Sequence, residues 1–302
     1  MEHFADRLVT QCREKGTPIC VGLDPVYERL PRSLRGQIDA TSATSLTSAL
    51  ESFCEKLLDV LAPHVACVKV QIACFERYRW PGVQAYFRVV AHAQRLGLIV
   101  IGDAKRGDIG ISAAHYAAGN LADPICHDLG DARGPDALTI NTYLGTDSIE
   151  PFLQVAAGEG KGLFALVRTS NPGGDSLQTL SLADGGTVAD RVASMVEQLG
   201  KAHVGQMGYS LLGAVVGATK ADDAVRLRQL MPQQIFLVPG FGAQGASVQD
   251  VKACFMPDGS GAIISASRSI IYAYDDVETQ DWIAAVEDAA LRMKEQLADI
   301  VM

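Results

Sequence analysis

Eight short, uniformly apolar runs recur along this chain, and longer connections with helical periodicity separate them. The runs occupy 19–23, 67–70, 98–102, 137–140, 163–167, 211–216, 235–238 and 262–265. Each is too short for a stable helix and lacks the polar alternation of a half-exposed strand, which is the pattern of parallel strands covered on both faces. Between them, 2–15 places Phe4, Leu8 and Cys12 on one helical face, and Gly16 stands where a left-handed helix terminus would. The segment 47–61 repeats the period with Leu50, Phe53, Cys54, Leu57, Leu58 and Leu61, while 80–96, 189–199 and 281–298 supply further helices.

This alternation predicts an α/β fold, a single-domain (β/α)8 TIM barrel spanning 1–302. A doubly wound open sheet shares the alternation and is the competing topology. No linker rich in Pro, Gly or Ser and no internal repeat divides the chain, and the connections 24–48, 115–135 and 170–187 read as elaborated loops.

Composition removes several partners from consideration. A net charge of −9 argues against nucleic acid or an anionic membrane surface, both of which need a positive face. No apolar run approaches the roughly 18 residues that span a bilayer. The seven cysteines are scattered, with no metal-ligand spacing and no secretory leader pattern, which predicts reduced thiols in a cytoplasmic protein. The six histidines, His92 on a helix and His115 in a loop among them, show no ligand spacing either.

The third run ends abruptly in Asp103-Ala104-Lys105-Arg106-Gly107-Asp108. Strand alternation would point Asp103 and Lys105 the same way, toward the barrel mouth where active sites of this fold lie. A charged strand end in solvent would look similar. However, Lys69 interrupts the second apolar run and Asp24 ends the first, and a buried lysine needs a partner. An Asp/Lys array around one mouth is the simplest reading. Carboxylates keep such a lysine protonated, so it can serve as a general acid or stabilise a carbanion.

The seventh run leads into Gly240-Phe241-Gly242-Ala243-Gln244-Gly245, a literal G-x-G-x-x-G. A dinucleotide fold would require an acidic residue after the next strand, and Arg268 stands there instead. Glycine-rich backbone and a guanidinium after strands seven and eight suit a phosphate monoester.

Seven segments in order carry a family resemblance: Val21-Gly22-Leu23-Asp24-Pro25, Val68-Lys69-Val70-Gln71, Asp103 to Gly110, Thr139 to Gly145, Arg168-Thr169-Ser170-Asn171-Pro172-Gly173, Pro239 to Gly245 and Ala266-Ser267-Arg268-Ser269-Ile270. Together they resemble the orotidine 5'-phosphate decarboxylase family, in its longer bacterial-type (type 2) branch, with Val70 and Thr142 replacing usual prolines. The resemblance implies a metal-free, cofactor-free carboxy-lyase that forms uridine 5'-phosphate and CO2, the last step of de novo UMP synthesis. It implies that Lys105 protonates C6 of the pyrimidine, that Asp103 sits against the departing carboxylate, and that Asp24 and Lys69 hold ribose hydroxyls. Asp108 would enter the partner's site across a homodimer interface. Ser170 would meet the pyrimidine edge, Gln244, Gly242 and Arg268 the phosphate, and Ser112 the ribose and phosphate. A sugar-phosphate decarboxylase of the same lineage, using magnesium, is the nearest alternative. A nucleotide-binding protein without catalysis is the alternative of another class.

Overall fold

The computed structural model describes residues 2–36, 38–124, 126–130, 132–218, 221–241, 247–276 and 281–300. Eight parallel strands close on themselves: β1 (Ile19–Leu23), β2 (Cys67–Gln71), β3 (Ile99–Arg106), β4 (Ala137–Ile140), β5 (Gly162–Arg168), β6 (Ser210–Val216), β7 (Gln234–Pro239) and β8 (Ala262–Ala266). Val21 of β1 pairs with Val68 of β2 on one side and Ala266 of β8 on the other, which completes the ring. The closed barrel replaces the open-sheet alternative, and every apolar run became a strand.

Strand alternation divides the apolar residues into two sets. One set, including Val21, Val68, Val100 and Leu138, packs outward against the helices. The other, including Cys20, Cys67, Ile99, Ile101, Phe164 and Ile263, fills the barrel together with Phe4, Ala5, Leu8 and Val9 of the first helix, Phe4–Lys15. That helix plugs the N-terminal end of the barrel. Phe4 meets Phe164 edge-on with centroids 5.9 Å apart. Residue 162 must be glycine for this, because a Cβ there would lie 2.1 Å from the Phe4 ring.

The outer helices follow local rules. Ala43–Leu61 starts with Ser42 accepting the Ser45 N–H and buries Leu50, Phe53, Cys54, Leu57, Leu58 and Leu61 as one stripe. Val188–Gly200 opens on a reciprocal Thr187/Asp190 capping box. Helices also form where loops were expected. Gly110–Leu121 occupies the start of 115–135, so His115 is helical, and it buries only Ala113, Ala117 and Leu121. Short helices at Arg32–Arg35 and Pro172–Gln178 lie within 24–48 and 170–187. Thr146–Gly158 carries Pro151, which reads as a breaker in sequence.

All seven cysteines are free; Cys20, Cys54, Cys67 and Cys254 are buried and Cys126 is exposed. Among the described residues no helix is long and apolar enough to cross a membrane.

One buried guanidinium ties together the ends of several elements. Arg228 donates five hydrogen bonds, to the carbonyls of Met231, Gln234, Gly261 and twice Cys254, at 2.7–3.1 Å. Its plane lies over Phe236, 3.5 Å from the ring centroid. A lysine has three donors and no fork to span these carbonyls. Arg228→Lys is therefore expected to cost about 1–3 kcal/mol, read as a lower urea midpoint at unchanged slope.

Candidate active site

The inward rows of three neighbouring strands change character as they rise. Cys67 is followed on its face by Lys69 and Gln71, Ile101 by Asp103, and Ala137 by Thr139. Apolar packing thus gives way to a polar cluster at the C-terminal mouth of the barrel.

Asp103 is the centre of that cluster and is only 6% exposed. Its Oδ2 accepts from Lys69 Nζ at 2.7 Å and Gln71 Nε2 at 3.0 Å. Its Oδ1 accepts from Lys105 Nζ at 2.6 Å and the Thr139 hydroxyl at 2.9 Å. Four donors use up what two carboxylate oxygens can accept. Burial alone would raise the Asp103 pKa, but Lys69 and Lys105 outweigh it and hold the carboxyl well below its usual range. Burial would likewise lower the Lys69 pKa, and Asp103 and Asp24 together raise it above the ordinary lysine value. Both groups are therefore ionised at neutral pH.

Lys105 reaches the cluster by a different route from the simple alternation expected. The β3–β4 register shifts between Gly102 and Arg106, and Lys105 adopts φ +46°. A left-handed conformation costs a non-glycine residue about 1–2 kcal/mol. It turns the ammonium back onto Asp103, with the side chain still 49% exposed to the cavity.

Asp24 follows β1, with Oδ1 3.6 Å from Lys69 Nζ. That oxygen is buried and accepts no hydrogen bond among the described residues, so it suits a ligand hydroxyl. Tyr272 holds its turn: the phenol oxygen accepts the Val26 N–H at 2.7 Å and donates to the Asp24 carbonyl at 3.1 Å.

These charges line one wall of a cavity of about 650 Å³. The opposite wall is built from Ser170, Asn171, Gly173, Gly174, Leu177 and Gln178 after β5, with Gly240, Phe241, Ser267 and Arg268 from the ends of β7 and β8. Arg268 is exposed and, among the described residues, makes no hydrogen bond or ion pair, so its guanidinium is available to an anion. The loop after β5 is held by buried Arg168, which bonds Asp223 at 2.7 Å, Asp175 at 2.6 Å and Gln178 at 3.1 Å.

The structure thus gathers Asp24, Lys69, Asp103, Lys105, Ser170 and Arg268 around one space. It does not bring Asp108 or Ser112 there: half-buried Asp108 accepts the Ile109 N–H, and Ser112 is exposed on the first turn of Gly110–Leu121. Gly242 and Gln244 lie outside the described residues. Thr142, at a usual proline position, donates to the Leu166 carbonyl at 2.7 Å. Sequence reasoning gave no role to Thr139, Gln71 or Tyr272. Gln71 and Thr139 share the inward phase of Lys69 and Asp103, a signal that was readable; Tyr272 acts across 248 residues of chain. Among the described residues no histidine lines the cavity, and His92 and His64 instead pair with Asp59 and Glu287 at 2.7 and 2.8 Å. Among the described residues no three His, Cys, Asp or Glu side chains form a metal-ligand set.

Comparison with known proteins agrees with this geometry. The chain is 43% identical to the orotidine 5'-phosphate decarboxylase of Rhodopirellula baltica, over 98% of this chain and 99% of that one. The enzyme of the same description from Deinococcus radiodurans is 38% identical, over 97% and 96%. The structure of Leishmania donovani OMP decarboxylase superposes with a TM-score of 0.75 at 28% identity, covering 99% of this chain and 98% of that one. The profile of the "Orotidine 5'-phosphate decarboxylase / HUMPS family" matches residues 17–281. A closed barrel, a saturated Asp103 between two lysines and a full-length match lead to one assignment: the chain belongs to the orotidine 5'-phosphate decarboxylase / HUMPS family.

Proposed function

We propose that the chain decarboxylates orotidine 5'-phosphate to uridine 5'-phosphate and CO2, without metal or cofactor, with Lys105 as the general acid. The observation that carries this reading is the Lys69–Asp103–Lys105 array facing Ser170 and Arg268 across one cavity. The phosphate is held by Arg268, with Gly242 and Gln244 of the glycine-rich sequence after β7 as its further partners. The ribose hydroxyls meet Asp24 and Lys69, and Ser170 meets the pyrimidine edge. This places C6 and its carboxylate against Asp103 and Lys105.

The C6–carboxylate bond then breaks, its electron pair stays on C6, and C6 takes a proton from Lys105 Nζ. Asp103 cannot act as the base or acid, because its four acceptor positions are filled and it stays ionised. Its role is to hold Lys105 and to disfavour a second carboxylate nearby, a strain relieved as CO2 departs. Binding energy from the remote phosphate offsets that strain. The segment after β5, with its Pro172–Gln178 helix, covers the substrate.

Asp108 and Ser112 serve the site of a second copy in a homodimer. Their position outside their own cavity supports this, as do exposed Ile109, Ile111 and Tyr116 beside them and Tyr143 and Leu144 after β4. The reaction belongs to the cytoplasm, in keeping with seven unpaired thiols.

The test is loss of orotidine 5'-phosphate absorbance by chelator-treated protein. Undiminished turnover is expected; turnover only after magnesium is restored would favour the sugar-phosphate branch.

A further inference from the structure

We infer that Thr139 is a positioning residue whose single hydroxyl sets both Asp103 and Lys105 for the reaction proposed above, on which this inference rests. Between the pairs Gly102/Leu138 and Arg106/Ile140, β3 has three residues where β4 has one. Asp103, Ala104 and Lys105 therefore face Thr139 alone. The extra residues have no ladder partners on β4 for their amides, and Thr139 supplies the missing acceptor. Its Oγ1 accepts the Ala104 N–H at 3.0 Å and the Lys105 N–H at 2.9 Å.

Those two bonds fill both lone pairs of the hydroxyl, so its one hydrogen has a single remaining direction. It points at Asp103 Oδ1, 2.9 Å away. The side chain is 1% exposed, and its β-branch restricts rotation about χ1. The bulge that turns the Lys105 backbone to φ +46° and the carboxylate that receives the Lys105 ammonium are thereby fixed by one atom. Without that hydroxyl, two amides lose their acceptor, and the left-handed turn keeps only the Lys105–Asp103 ion pair and the Arg106/Ile140 pairing, among the described residues, against relaxation into an ordinary strand.

The test compares Thr139→Val, which keeps the shape and removes the hydroxyl, with Thr139→Ser, which keeps it. A misplacement near 1 Å costs roughly a hundredfold in rate, so kcat of the valine variant is expected to fall about that far. KM and affinity for the product, uridine 5'-phosphate, should stay within about threefold, because the phosphate and ribose contacts are untouched. Serine should recover most of kcat. Wild-type kcat in Thr139→Val, a serine variant as slow as the valine one, or a parallel loss of product affinity would each overturn the inference. Amide hydrogen exchange separates this from failure of the proposed reaction. Faster exchange at Ala104 and Lys105 in Thr139→Val supports the positioning role whatever the substrate, and unchanged protection there sinks it.

Discussion

A Lys105→Ala variant is expected to lose about three to four orders of magnitude in kcat on orotidine 5'-phosphate while remaining folded. Under the proposed mechanism the reaction loses its proton donor at C6, and among the described residues of the cluster no neighbour can substitute. Lys69 is committed to Asp103 at 2.7 Å, and Asp103 itself is ionised. Folding should survive because the Lys105 side chain is half exposed and Asp103 keeps three of its four donors. Lys105→Arg should not rescue turnover, since a guanidinium keeps its proton. Steady-state absorbance assays with urea unfolding of the same samples check both halves. More than about a tenth of wild-type kcat in the alanine variant would refute the general-acid role.

An Asp103→Ala variant is expected to be destabilised by about 3–5 kcal/mol, the usual cost of removing one partner from a buried ion pair. Lys69 is 7% exposed and, among the described residues, would retain Asp24 alone as an ion-pair partner, at 3.6 Å. The pH dependence has a definite sign. The folded pKa of Asp103 is lowered, so its contribution is complete above the unfolded value near 3.9 and is lost as pH falls through the folded one. The folded pKa of Lys69 is raised, so its contribution is complete below about 10.4 and is lost as pH rises through the folded value. The gap between wild type and variant should therefore be flat from about pH 5 to 9 and begin to narrow below about pH 4. Urea midpoints across that range test it, and a gap that closes near neutrality would show that Asp103 is not held ionised.

The barrel was legible because strands buried on both faces announce themselves as unbroken apolar runs, and each run became a strand. The same logic exposed Lys69, since a cation inside such a run needs an explanation. Helices were harder to read where the buried stripe is two alanines and a single leucine, as in Gly110–Leu121, or where Pro151 interrupts the pattern. Strand alternation placed Lys105 in the right cluster for an incomplete reason. Its approach to Asp103 needs a register shift against β4, which no local pattern in β3 reveals. Thr139 and Tyr272 were silent for the same cause: a threonine on a strand and a tyrosine near the C-terminus are ordinary until the fold sets their hydroxyls against particular amides and carbonyls.

The first helix has a consequence for where hydrogen isotopes can enter. Below Lys69 and Asp103 the barrel interior is apolar, and Phe4 and Leu8 close its floor. Among the described residues no relay of polar side chains leads from that end to Lys105. Under the proposed mechanism, a proton given to C6 would be replaced from solvent on the mouth side, where the cavity opens. In the proposed reaction the half-exposed Lys105 ammonium and the nucleotide share the mouth of the barrel, so solvent isotope reaches C6 from that side.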